Sequence, residues 1–305
     1  MTLAGKLPRL RPDTFAVRYD LLFPAYAQLP PRWGYALAAQ QAAWFRRKRV
    51  DEATLIRQQM QRVFPDASAT TVETWLQDYY RMVELEALDT WYLQHQPLHE
   101  VVTLRNFAVV EAARRAGQRV LLTGGHFGRF WLAGAAMRER GFTTGTITRD
   151  GGAENTHGLH PAEYQFRLFK LQRLQQVLGG PFLVEGEDLR PLYRALDEHL
   201  ITLIFDVPYV NPHKGSVTVP FFNASIDLPA GIYRVAKKMQ AVVVPFFMRE
   251  LGNGRVVAEF SAALEPSAHA ESDFMCELAS QLALRISEHP GQWWLWAALP
   301  LLQHR

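Results

Sequence analysis

The residues best suited to chemistry begin at Gly124-Gly125-His126-Phe127-Gly128. An imidazole can take a proton from a substrate near neutral pH when its ring is oriented and a reacting group can reach it. The glycines let a substrate approach the backbone closely. An apolar run, Leu121-Leu122-Thr123, leads into this turn, and a helical pattern from 127 to 140 leaves it. The pair Arg149-Asp150 and the residue Asp206 also follow apolar runs, Phe142 to Thr148 and Leu200 to Phe205. All three positions therefore read as carboxyl ends of strands, where parallel sheets collect catalytic groups. If the first two strands are neighbours across one short crossover helix, Asp150 comes close to His126. Backbone amides around Gly125, Phe127 and Gly128, at a helix start, are candidates to receive negative charge on an oxyanion.

The elements that must position these residues alternate. Strands are expected at Val101 to Arg105, Val120 to Thr123, Phe142 to Thr148, Phe182 to Val184, Leu200 to Phe205 and Ala241 to Met248. Arg255 to Phe260 reads as an edge strand. Helical spacing covers Phe107 to Ala116, Glu163 to Leu178, Leu189 to His199 and Leu228 to Lys238, and Ser272 caps a last helix to Glu288. This order predicts an α/β fold with a mixed, largely parallel sheet and helices on both faces. Before it, residues 1–100 read as a helical region packed on the core, with helices at 51–64 and 70–93; residues 101–305 form one α/β unit. Thr70-Thr71-Val72-Glu73 has the form of a capping box.

Composition narrows the function. The chain has 305 residues, 48% apolar, with 33 basic residues nearly balanced by 30 acidic ones, so nucleic acid is not an expected partner. The single cysteine, Cys276, leaves no internal disulfide or cysteine zinc site and reads as a core side chain. His157 and His160 have metal-like spacing but no acidic partner pattern, so no metal is expected, and no cofactor. No run approaches the ~18 apolar residues that a spanning helix requires. Residues 14–49 mix aromatics with small residues and end in Arg46-Arg47-Lys48-Arg49. Such a stretch suits the anionic surface of a bilayer, or else packs on the core with a solvated charged end.

Gly125-His126-Phe127-Gly128, followed by Phe130-Trp131, resembles the Gly-His-Phe-Gly-Asn-Trp-Glu block of the bacterial lipid A late acyltransferases, within the lysophospholipid acyltransferase superfamily. The resemblance continues through Phe205-Asp206, Val219-Pro220-Phe221-Phe222-Asn223, Val243-Val244-Pro245-Phe246 and Arg249, and closes at Pro290-Gly291-Gln292-Trp293-Trp294-Leu295-Trp296. It implies a glycerolipid acyltransferase-like fold and a histidine, His126, that deprotonates an acceptor hydroxyl for attack on a thioester. In the family an acidic residue follows that histidine after four residues and orients its ring. Here the position holds Trp131, whose indole can only donate. A carboxylate from elsewhere must then take over: Asp150 is the first choice, Asp206 the second, Glu154 the third.

The resemblance also implies that Arg149 meets anionic parts of the substrate. Arg129, Arg167, Asp206 and Lys214 complete the expected substrate-binding set, Lys214 in the loop from Asn211 to Ser216. The expected reaction moves a fatty acyl group from acyl-carrier protein, or acyl-CoA, to a hydroxyl or amine of an amphipathic acceptor, a lipid or glycolipid. The site of action is the cytoplasmic face of the bacterial inner membrane, by peripheral contact, or the cytoplasm. The rival readings are a non-catalytic relative that binds an acyl chain or carrier protein, and a thioester hydrolase.

Overall fold

The computed structural model describes residues 13–93, 98–148, 155, 158–184, 188, 190–208 and 215–304. Arg149, Asp150, Glu154, His157 and Lys214 lie outside the described residues.

The amino-terminal helices are α1 (Thr14–Ala16), a π-helical turn Val17–Leu22, α2 (Phe23–Tyr26), α3 (Pro31–Arg46), α4 (Val50–Val63) and α5 (Ala69–Tyr92). Then follow β1 (Val102–Arg105), α6 (Ala108–Arg115), β2 (Val120–Gly124), α7 (Trp131–Glu139), β3 (Thr144–Thr148), α8 (Pro161–Leu178), β4 (Gly179–Val184), α9 (Arg190–Glu198) and β5 (Leu200–Ile204). The chain continues through β6 (Ser216–Phe221), β7 (Ala224–Pro229), α10 (Gly231–Met239), β8 (Val242–Gly252), β9 (Arg255–Phe260), α11 (Glu271–Glu288) and α12 (Leu299–Leu302). No helix among the described residues is long and apolar enough to cross a membrane.

Seven strands form one sheet in the order β1-β9-β8-β2-β5-β3-β4, parallel except where β8 meets β9. The mixed α/β fold is thus as the alternation predicts. Both faces are covered, as a mainly parallel sheet requires. Leu121, Ile201 and Val243 point into one core with α10 and α11. Their neighbours Val120, Leu122, Leu200 and Val244 point into the other with α6, α7 and α8. The amino-terminal helices close against the sheet largely through α5, whose Leu76 and Leu88 serve the first and second core.

Four sequence expectations change. First, β2 and β3 are not neighbours: β5 lies between them, so the premise that brought Asp150 to His126 fails. Second, Arg255 to Phe260 is interior, flanked by β8 and β1. Its Val256, Val257 and Ala258 are fully buried, which an edge does not need. Third, Ser68 rather than Thr70 caps α5, accepting from the Thr71 amide at 3.1 Å, while Glu73 pairs with Arg46 and Arg57. Likewise Ser272 sits inside α11, whose cap position is Ala270. Fourth, Leu228 belongs to an antiparallel hairpin, β6–β7, and not to a helix. The hairpin was readable from alternation: Val219, Phe221, Ile226 and Leu228 are buried, with polar or exposed residues between them.

Candidate active site

The turn after β2 departs from the sequence expectation in a way that builds the site. The helical pattern begins at 127, but α7 starts only at Trp131. The reason lies in the far end of the chain. The Gly128 amide donates to the Gln292 carbonyl at 2.7 Å, and the Trp294 amide donates to the His126 carbonyl at 2.9 Å. Phe127 bridges Trp293 in antiparallel fashion, and the Trp294 indole donates to the Gly128 carbonyl at 2.8 Å. These bonds run sideways and replace the first turn of a helix. Gly128 has φ +62°, and a Cβ there would stand 2.5 Å from the Met248 carbonyl oxygen.

Because β5 lies beside β2, its carboxyl end delivers Asp206 to the same rim. The Nδ1 of His126 lies 2.7 Å from Asp206 Oδ1. The His126 amide donates to both carboxylate oxygens at 2.9 Å, and the Trp293 indole donates to Oδ2 at 2.9 Å. Asp206 has no exposure to solvent, so its charge rests on these donors. An ionised carboxylate only accepts, so the ring proton sits on Nδ1 and Nε2 keeps its lone pair. The His126 side chain remains 28% exposed, so the ring is not sealed from solvent. Gly125 is required by proximity: a Cβ there would lie 2.9 Å from Asp206 Oδ2 and 2.6 Å from a Leu282 methyl.

Thus the structure brings Asp206, the second-choice partner, to His126, whereas Asp150 lies outside the described residues. Sequence reasoning assigned Trp293 no role, although a buried indole must place its N–H somewhere. That requirement was the available signal.

Of the expected oxyanion donors, two are otherwise engaged and the third is buried. The Phe127 amide donates to the Gly125 carbonyl at 2.7 Å, the Gly128 amide to Gln292, and Gly125 is buried behind Asp206. Arg129 is also not placed for substrate. It is fully buried, with Nη1 at 2.6 Å from Asp89, Nε at 2.7 Å from Glu250, and Nη2 on the Gly254 carbonyl. Two carboxylates against one guanidinium leave the cluster one negative charge in excess. Burial, working against the attraction of Arg129, raises the Asp89 carboxyl to about 7. Arg129 itself is held charged, its pKa raised by Asp89 and Glu250 against the effect of burial. Arg167 is half-buried on α8 and already engaged in an interaction.

Trp131, at the family's acidic position, opens α7 and forms a wall. The Phe130 ring meets the His126 ring edge-on at 5.5 Å and the Trp131 ring at 4.9 Å. Phe130 and Trp131, with Gly134, Leu178, Ile204 and Phe246, line a small apolar cavity between α7, α8 and the sheet. Among the described residues no three His, Cys, Asp or Glu side chains group as metal ligands. His160 instead caps α8, its Nδ1 accepting from the Ala162 amide at 3.3 Å, and stacks on Phe15.

A family model described as bacterial lipid A biosynthesis acyltransferase matches residues 19–299. The chain belongs to that acyltransferase family. The match spans the amino-terminal helices, the His126 turn and the closing tryptophans alike. No curated protein matches the chain.

Proposed function

We propose that this lipid A-type acyltransferase family member moves a fatty acyl group from an acyl-carrier-protein or acyl-CoA thioester to a hydroxyl or amine of an amphipathic acceptor. The observation that carries the reading is the 2.7 Å contact between His126 Nδ1 and Asp206, with Nε2 left as the basic nitrogen. It supplies what the family's motif loses at Trp131.

In this mechanism Nε2 takes the proton of the acceptor hydroxyl as its oxygen attacks the thioester carbonyl. The new C–O bond forms, the C–S bond breaks, and the thiol leaves with the proton that His126 returns. Asp206 keeps the ring in the reactive tautomer and balances the imidazolium while it lasts. The His126 amide and the Trp293 indole hold the carboxylate in place. The intact histidine–carboxylate pair favours an enzyme over a non-catalytic carrier-binding relative.

The test is consumption of an acyl-carrier-protein thioester, with product mass, by wild type and His126→Ala in the presence of glycolipid acceptors. Thioester loss that depends on His126 and yields an acylated acceptor is expected. Equal slow turnover by both proteins rejects catalysis. Free fatty acid without acylated acceptor assigns hydrolysis instead.

A further inference from the structure

Among the described residues, six of the nine large apolar side chains most open to solvent fall between residues 21 and 50: Leu21, Leu29, Trp33, Leu37, Trp44 and Val50. The centre of this patch is α3. Its inner side, Tyr35, Ala38, Ala42 and Phe45, is buried, and the helix packs on α5. Its outer side carries Trp33, Ala36, Leu37, Gln40, Ala43 and Trp44, which recur at helical spacing and are all exposed. A helix that is apolar almost all round is normally enclosed. In α3 half of that surface has no cover.

The charge within the patch has one sign, and exposed Asp20 and Asp51 flank its two ends. From Leu21 to Val50 there are five basic residues and no acidic one. Arg46 and Arg49 are spent on Glu73 and on Glu52 and Glu163. Arg32, Arg47 and Lys48 are exposed and make no ion pair among the described residues. Arg32 lies at one end of α3, over the Trp33 ring at 5.4 Å from its centre; Arg47 and Lys48 follow the other end. Tryptophans at both ends of an apolar face, with cations flanking them, match a bilayer interface, where indoles sit at headgroup depth and cations meet anionic lipid.

We propose that the outer face of α3 is a docking surface for an anionic phospholipid bilayer, with Trp33, Leu37 and Trp44 entering the headgroup–acyl boundary and Arg32, Arg47 and Lys48 on lipid phosphates. The chain then rides on the membrane along this helix. A protein partner matched to this surface would need an acidic rim around an apolar centre, whereas an anionic bilayer offers both everywhere. The proposal stands apart from the acyl-transfer reading, because it needs no functioning base.

The test is flotation of the full chain with phosphatidylglycerol–phosphatidylethanolamine vesicles and with phosphatidylcholine vesicles. Wild type and His126→Ala should float with the anionic vesicles alike, with a blue shift of tryptophan emission, and bind phosphatidylcholine less. The triple variant Trp33→Ser, Leu37→Ser, Trp44→Ser should bind at least about tenfold more weakly while remaining folded by circular dichroism, because the buried inner side of α3 is untouched. Arg47→Glu with Lys48→Glu should weaken anionic binding and leave phosphatidylcholine binding unaltered. Equal flotation of the triple variant and wild type overturns the proposal. So does a wild type that ignores vesicles but self-associates through this face, shown by a dimer that the triple variant abolishes.

Discussion

Trp293 and His126 donate to the same buried carboxylate: the indole N–H to Asp206 Oδ2 at 2.9 Å, and the ring Nδ1–H to Oδ1 at 2.7 Å. The two residues are far apart in sequence, yet the backbone around Phe127 is bonded across to that around Trp293, so the carboxylate is held from both chain segments.

Trp293→Phe removes one donor from Asp206 and leaves the ring contact in place. Loss of one hydrogen bond to a charged group, of order 1.5–3 kcal/mol, allows the carboxylate to wander. The expected result is a kcat about tenfold lower with a KM for thioester within about twofold. A purely structural role would lower the amount of folded protein and spare kcat per active molecule. Single-turnover kinetics on titrated sites, with the melting temperature in parallel, separates the two.

Asp206→Asn should cost far more than Asp150→Asn. An asparagine can present its amide N–H to Nδ1 and favour the wrong tautomer, a change that costs about 10⁴-fold in a serine protease. Trp131→Phe, in contrast, should keep kcat within about threefold, since that position no longer carries a carboxylate to lose. Comparable losses in Asp206→Asn and Asp150→Asn would show that another acid serves the ring.

Arg129→Met should act on stability and not on substrate affinity. It strands Asp89 and Glu250 in the interior, and breaking a buried pair on one side typically costs roughly 3–5 kcal/mol. Urea unfolding should show a loss of that order. Residual folded protein should retain its KM, which a substrate-binding arginine could not allow.

Asp89 makes stability depend on pH. Its folded carboxyl is raised to about 7, from an ordinary 3.8, mainly by burial. The folded state therefore holds this proton more tightly than the unfolded chain does. The contribution is full below the ordinary carboxylate range and declines as pH rises, by about 1.4 kcal/mol per pH unit, until it is spent above about 7. Relative to Asp89→Asn, wild type should lose stability between pH 5 and 7 and then level off. Urea unfolding at unit pH steps checks this; a difference that stays flat from pH 5 to 7 would mean that Asp89 stays ionised throughout that range.

Much of this protein is legible in the sequence, and for local reasons. The apolar runs, the glycines and the helical spacing are properties of short segments, so the alternation of strands and helices, the turn at His126 and the family's text can be read without coordinates. Polar fates are less legible. Arg129 reads as a substrate-binding residue beside the site, yet folding encloses it between Asp89 and Glu250, residues 40 positions before it and 121 after it. The closing tryptophans are conspicuous in the sequence, but that one of them secures a carboxylate depends on where β5 ends.

What the sequence determined by itself is that His126 would stand at the carboxyl rim of a mainly parallel sheet without its usual acid. What only the tertiary structure decided is which carboxylate meets the ring. Strand order is set by long-range packing of both faces, and no local pattern encodes it. By seating β5 and not β3 next to β2, the sheet placed Asp206 against the ring, and the same choice undid the argument for Asp150.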